Sequence, residues 1–369
     1  MIKRLYVDNY TSLVNFELRL SELTLLIGRN GSGKTSVLNV VHALRRLLSG
    51  EVKITDPDAF PTRTLTRWQA REKQTFEVDC TLGNDDFVYR LELAHERSTR
   101  RAKVARETLE CAGKPLFAFV DGIVTLYRDD HSKGPNFRSD WTESALARVQ
   151  PGQDNTRLTQ FLEHMKRIIV CGLYPASFAA ESTDEEPMLT RDAANFAAWY
   201  RHLMLDRPDL VHEFTSALAP IIDEFHSIRM ERIGLDARAL MVVFEHQDQK
   251  YELRLNELSD GQRALIALYA LIKLTAGQGY TLFLDEPDNY ISLAEIQPWL
   301  IEVAETCGPG ITQTILCSHH PELIDYLGAE HGVLLHRESA GVTNAKPVSE
   351  VAIESPLRLS ERTARGDLE

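Results

Sequence analysis

The chain has 369 residues, 43% of them apolar and 26% charged, with a net charge of −13 at pH 7. This is ordinary globular composition, long enough for one large or two modest domains with an ample core, and too acidic overall for a surface that grips nucleic acid everywhere. No apolar run approaches the ~18 residues of a membrane span, and Met1-Ile2-Lys3-Arg4-Leu5 leads straight into an alternating pattern without a signal-peptide core, so a cytoplasmic protein without membrane contact is expected.

Residues 2–7 and 16–20 alternate as strands, with Asn9-Tyr10-Thr11-Ser12 between them. Thr24-Leu25-Leu26-Ile27 is a short apolar run that suits a buried strand. Next comes Gly28-Arg29-Asn30-Gly31-Ser32-Gly33-Lys34-Thr35, followed by Ser36, which fits the phosphate-binding pattern G-x-x-x-x-G-K-[ST]. Successive backbone N–H groups of such a turn make an anion cradle, and the following helix adds its positive end. Gly28, Gly31 and Gly33 supply backbone freedom where a Cβ would crowd phosphates. Lys34 is expected to neutralise the β- and γ-phosphates, and the Thr35 hydroxyl to sit on Mg²⁺. Val37, Leu38, Val41, Leu44 and Leu48 then recur at helical spacing, and Gly50 can close the helix.

Residues 51–75 read as a polar loop or short insertion, and 76–128 as a β-meander with a turn at Gly83-Asn84-Asp85. Arg97, Arg100, Arg101, Lys103 and Arg106 read either as a charged hairpin edge or as a phosphate-contacting edge. Residues 129–160 look polar and irregular, 161–170 fit helix or strand, and 190–226 predict two or three helices without sustained heptads. Strand patterning returns at 228–255, and further strands are expected at 281–284, 313–317 and 332–336, with a polar tail at about 355–369. Cys80, Cys111, Cys171, Cys307 and Cys317 are scattered without a C-x-x-C pair. They read as buried thiols in a reducing compartment, not as zinc ligands or a disulfide framework.

The second half offers partners for the phosphate loop. Leu282-Phe283-Leu284-Asp285-Glu286-Pro287 is an apolar strand ending in two carboxylates. Asp285 is placed to hold Mg²⁺ through water, and Glu286 to orient or activate an attacking water. Leu258-Ser259-Asp260-Gly261-Gln262-Arg263 opens a helix that Ser259 can cap, either a plain capped helix or a second phosphate-binding N-terminus that meets a nucleotide held by another subunit. Thr314-Ile315-Leu316-Cys317-Ser318-His319-His320 is a strand ending in polar groups, of which His319, rather than His320, is favoured to bond a γ-phosphate.

In order and spacing this set resembles the ABC-type ATPase head: Walker A at 28–35, the signature at Leu258 to Gln262 (L-S-D-G-Q against the family's L-S-G-G-Q), Walker B at 282–286, a D-loop at Asp288-Asn289 and a switch histidine at His319. Within that superfamily it resembles the SMC/RecF/OLD branch, whose first strand and turn Val7-Asp8-Asn9-Tyr10 is similar to, although Thr11-Ser12 stands where the branch has Arg-Ser. No glutamine marks a clear Q-loop, and Gln160 reads as a helix-surface residue.

The resemblance implies an α/β P-loop NTPase: an ABC ATPase head with an antiparallel β subdomain, a mixed central sheet flanked by helices, and a helical insertion. A single head is expected over 1–340, in lobes at 1–128 and 228–340 around an insertion at 129–227, with a tail at 341–369. ATP and Mg²⁺ are the implied ligands, with Ser259, Asp260, Gly261 and Gln262 acting in trans within a homodimer or higher oligomer. Long coiled-coil arms are missing from the pattern, and no C-terminal TOPRIM nuclease is expected, so nuclease activity would lie on a separate effector chain. Stand-alone ATPases of this shape resemble subunits of bacterial anti-phage systems. The alternatives are a RecF-like ATPase that binds DNA in repair and a low-turnover nucleotide-binding scaffold.

Overall fold

The strand Leu23–Ile27 is buried along its whole length, as expected of a β-rich apolar run that carries no exposed face. It runs into the glycine loop and then the helix Lys34–Leu48, which buries Val37, Leu38, Val41, Leu44 and Leu48 on one side. The computed structural model describes residues 1–337, 341–351 and 357–368. The chain divides into two compact units, Met1–Ile168 with Leu327–Glu369, and Ile169–Tyr326.

In the first unit, Leu23–Ile27 pairs in parallel with Gly332–Arg337, which pairs antiparallel with Thr343–Pro347. An eight-stranded antiparallel sheet accompanies them, in the order Phe16–Arg19, Ile2–Asp8, Lys73–Leu82, Asp85–Glu96, Arg101–Cys111, Lys114–Val120, Ile123–Tyr127 and Lys133–Arg138. Its register places Phe76 opposite both Val7 and Leu91, and Val78 opposite Tyr89, so alternate residues form a continuous apolar face. One carboxylate lies inside this face. Glu107 is fully buried and accepts hydrogen bonds from the Tyr89 hydroxyl (2.9 Å), the Ser144 hydroxyl (2.5 Å) and the backbone N–H groups of Ala145 (3.1 Å) and Leu146 (3.3 Å). Burial pushes its pKa up, and these four donors oppose the shift.

In the second unit, Thr281–Asp285 pairs in parallel with Gln313–Cys317, with Ile168–Cys171 on its other side. A separate antiparallel sheet holds Glu181–Ser182, Phe225–Arg232, Arg238–His246 and Gln249–Arg254. The α-helices wholly within it are Phe196–Asp206, Pro208–Leu218, Asp260–Lys273 and Leu293–Thr306. Phe178, Phe196, Tyr200 and Phe214 form a chain of ring contacts at 5.6–6.4 Å.

The expected irregular stretch 129–160 contains the strand Lys133–Arg138 and the start of the helix Thr156–Lys166. The strand is exposed at nearly every position, so no apolar alternation announces it. The ambiguous stretch 161–170 holds both element types, because the helix ends at Lys166 and a buried strand follows at Ile168–Cys171. The helical pattern expected to reach 226 stops at Leu218, where Ala219-Pro220 disfavours another turn, and Phe225 opens a strand. Among the described residues the longest helix is Lys34–Leu48, at 15 residues, and no helix is long and apolar enough to cross a membrane.

Candidate functional site

In the first unit the loop after Leu23–Ile27 turns through left-handed backbone at Gly31 (φ +83°) and Gly33 (φ +109°). A Cβ on Gly28 would lie 2.3 Å from the Leu335 carbonyl oxygen, and one on Gly33 2.9 Å from the Thr343 hydroxyl. The hairpin Gly332–Arg337/Thr343–Pro347 therefore presses against the back of the loop, and glycine is required there by contact as well as by φ. Lys34 is buried, and its ammonium donates to the Gly28 carbonyl at 2.5 Å and the Arg29 carbonyl at 3.4 Å. The Ser32 hydroxyl is buried and, among the described residues, without a hydrogen-bond partner. Arg29, Asn30, Gly31 and Thr35 are exposed, and the Ser36 hydroxyl accepts from Thr11 at 2.9 Å. A cradle closed behind by the hairpin, with a buried ammonium, an orphan hydroxyl and an open helix N-terminus, fits a polyphosphate.

In the second unit the strand ends gather a polar cluster. Asp285 is the last residue of its strand, opposite Cys317. Glu286 continues in left-handed backbone (φ +47°), and its N–H donates to the Cys317 carbonyl at 2.7 Å. Its two carboxylate oxygens face different partners: Oε1 lies 3.0 Å from His319 Nδ1, and Oε2 accepts from the Asn289 amide at 3.0 Å. Asp288 is buried and accepts from the Ser318 hydroxyl at 2.7 Å. His320 instead accepts from the Glu322 N–H through Nδ1. Glu286 therefore joins His319 and Asn289 in one hydrogen-bonded group, while Asp288 pairs with Ser318 and Asp285 with Arg191.

Ser259 caps the helix Asp260–Lys273, accepting from the Gln262 N–H at 3.2 Å, while the Gln262 side chain accepts from the Ser259 N–H at 3.2 Å. Arg263 fixes this helix start by donating to the Pro175 carbonyl and to Asp260, both at 2.6 Å. A Cβ on Gly261 would lie 3.0 Å from the Tyr290 carbonyl oxygen, so Gly261 lets the turn after Asn289 pass close.

Several residues at these places gave no signal in the sequence. Arg191 extends a guanidinium nitrogen to 3.4 Å from the Asp285 carboxylate. Its backbone is held by the Gly172 N–H, which donates to the Arg191 carbonyl at 2.8 Å. Thr11, Ser12 and Thr343 back the phosphate loop, and only the Asn9-to-Ser12 turn stood out in the pattern. Gln160 lies exposed on its helix.

Residues 23–325 match the protein family described as "AAA domain, putative AbiEii toxin, Type IV TA system". A comparison with curated proteins gives no match. Two solved structures share the fold. The first is the SmcHead bound to the C-winged helix domain of ScpA, at 12% identity and TM-score 0.54 over 95% of this chain and 99% of that one. The second is an Smc head domain with an extended coiled coil, bound to the C-terminal domain of ScpA derived from Pyrococcus furiosus, at 11% identity and TM-score 0.53 over 94% and 95%. Given the extent of the family match, the chain belongs to that AAA-domain family; it is a P-loop ATPase-type domain that shares its fold with SMC heads.

Proposed function

We propose that the chain binds and hydrolyses ATP and uses ATP-dependent dimerisation as a switch that controls a separately encoded effector, in the setting of anti-phage defence. The observation that carries this reading is the cluster around Glu286, whose two oxygens are held by His319 and Asn289 beside Asp285. A carboxylate fixed on both oxygens at a strand end, in backbone that an unconstrained glutamate avoids, is suited to orient a water.

On this reading Lys34 exchanges its carbonyl partners for the phosphates, and backbone from Gly28 to Ser36 surrounds them. Thr35 and Asp285 would hold Mg²⁺, which when bound spreads phosphate charge. His319 reads the terminal phosphate. Ser259, Asp260, Gly261 and Gln262 offer a capped helix start to a nucleotide held by the second subunit, and Asp288 and Asn289 lie alongside as the D-loop. The family's description names a putative toxin of a Type IV toxin–antitoxin system, a setting with a second component.

The direct test is ATP turnover by Lys34→Ala. Removing the buried ammonium is expected to lower turnover at least 100-fold, as losing a charge-assisted contact to the transferred phosphate does. Turnover at the wild-type rate would refute the assignment of the loop.

A further inference from the structure

We propose that a cavity near the turn of the hairpin Asp85–Glu96/Arg101–Cys111 is a binding site for a small anion with an aromatic body. The cavity holds about 610 Å³, within the range of about 300–1,000 Å³ that small-molecule sites occupy. Every residue that lines it belongs to the first unit, and none belongs to the glycine loop. The hairpin register sets Ala94 opposite Lys103, His95 opposite Ala102 and Glu96 opposite Arg101, all of them lining residues. The other walls come from the loop that starts at Ile54 and from Trp141-Thr142. Backbone hydrogen bonds tie these walls together. The Ile54 N–H donates to the Thr142 carbonyl at 2.7 Å, and the Val104 N–H to the Trp141 carbonyl at 2.8 Å. The cavity is therefore built before any ligand arrives.

The lining divides by chemistry. Ile54, Phe60, His95 and Ala102 are buried, whereas Arg100, Arg101, Lys103 and Trp141 are exposed, Trp141 by 55%. Among the described residues Arg100, Arg101 and Lys103 make no ion pair. The two carboxylates that line the cavity are engaged by local donors: Asp56 accepts from the Lys53 N–H at 2.8 Å, and Glu96 from the hydroxyls of Ser98 (3.2 Å) and Thr99 (2.8 Å). Three cations thus stand unpaired beside an indole, in a chain whose net charge is −13. Unpaired cations around a partly apolar concavity draw an anion, and an exposed indole offers its face to a flat ring. His95 adds an acceptor. Its Nε2 is taken by Gln74 at 2.8 Å, a residue that does not line the cavity, and its Nδ1 is buried and, among the described residues, without a partner. A hydroxyl or N–H on the ligand would satisfy it. The basic run from Arg97 to Arg106 thus serves a cavity and not an extended groove, which favours a small molecule over a nucleic-acid strand.

The test is calorimetric titration of the full chain with 1-naphthyl phosphate, and with inorganic phosphate and 1-naphthol as its separate halves. The expected result is a single saturable site with a dissociation constant below about 1 mM, and binding of either half weaker by about 10-fold or more. Trp141→Ala, and separately Arg101→Ser combined with Lys103→Ser, should each weaken 1-naphthyl phosphate about 10-fold, while Lys34→Ala leaves it unchanged. All three side chains are exposed, so unchanged melting temperatures should accompany these losses. No saturable binding by the wild type would overturn the site, as would undiminished affinity in either variant. Loss of binding in Lys34→Ala would put the probe in the glycine loop and overturn it as well. Oligothymidylate held through these residues when 1-naphthyl phosphate is not would make the face a nucleic-acid surface, and the proposal would fall.

Discussion

The three loop glycines face different surroundings, and that difference predicts a graded response to one added methyl group. Gly31 has φ +83°, and a Cβ there would meet nothing within 4 Å among the described residues. Gly31→Ala therefore meets only the backbone cost of a left-handed alanine, about 1 kcal/mol. Gly33 has φ +109°, and its Cβ would meet the Thr343 hydroxyl at 2.9 Å and the Thr343 methyl at 3.0 Å. Gly33→Ala adds an overpacking term to the same strain, for about 2–3 kcal/mol in total. Gly28 has backbone, not a side chain, behind it, with the Leu335 carbonyl oxygen 2.3 Å from the built Cβ. Relief there requires parting Leu23–Ile27 from Gly332–Arg337, which pair through Ile27 and Leu334. Gly28→Ala should cost more than about 3 kcal/mol. In a chain of this size each kcal/mol lowers the melting temperature by roughly 2 °C. Thermal unfolding should rank the variants Gly31→Ala, Gly33→Ala, Gly28→Ala in increasing damage. Adding Thr343→Ala should recover the steric share of Gly33→Ala and none of that of Gly28→Ala. Equal damage at all three positions, or no rescue at Gly33, would refute the account of how the hairpin closes the loop.

Two further outcomes follow from buried polar groups in the same unit. Glu107→Ala strands the Tyr89 and Ser144 hydroxyls and two N–H groups inside the sheet, so chemical denaturation should show a loss of about 3–5 kcal/mol; a loss below about 1 kcal/mol would contradict this. His95 is buried, and burial lowers its pKa from 6.5 to about 4. Its Nε2 donates to Gln74 Oε1, because the Gln74 amide nitrogen is already donating to the Asn9 carbonyl and Thr64. The unfolded histidine takes up a proton near 6.5 and the folded one only near 4, so this contribution is complete above pH 6.5 and lost as the pH falls towards 4. Between pH 7 and 4.5 the wild type should lose about 2–3 kcal/mol more than His95→Gln. Equal losses in denaturant titrations at the two pH values would show that His95 does not resist protonation.

Local chemistry made the glycine loop and the capped helix starts legible. The glycine spacing from Gly28 to Gly33, the apolar run before it and the helical period after it each announce their element. Ser259 and Gln262 likewise write a capping box into the sequence, and the helix starts where it says. What stayed hidden depends on residues far apart in the chain. Thr343 backs Gly33 across some 300 positions, and Arg191 reaches Asp285 from a polar loop whose composition says nothing of its destination. The strand Lys133–Arg138 was silent for another reason. It lies at the edge of its sheet with most side chains in water, so neither face imposes a period of two.

The central claim is that ATP drives two copies together and that Glu286 ends that state. The most direct measurement is the solution mass of Glu286→Gln with and without ATP–Mg²⁺. The amide keeps the shape of the side chain and its place beside His319 and Asn289, and removes the charge that activates water. The account predicts bound ATP, negligible turnover and a shift from monomer to dimer that depends on ATP. A mass unchanged by ATP, with the nucleotide bound, would contradict the switch.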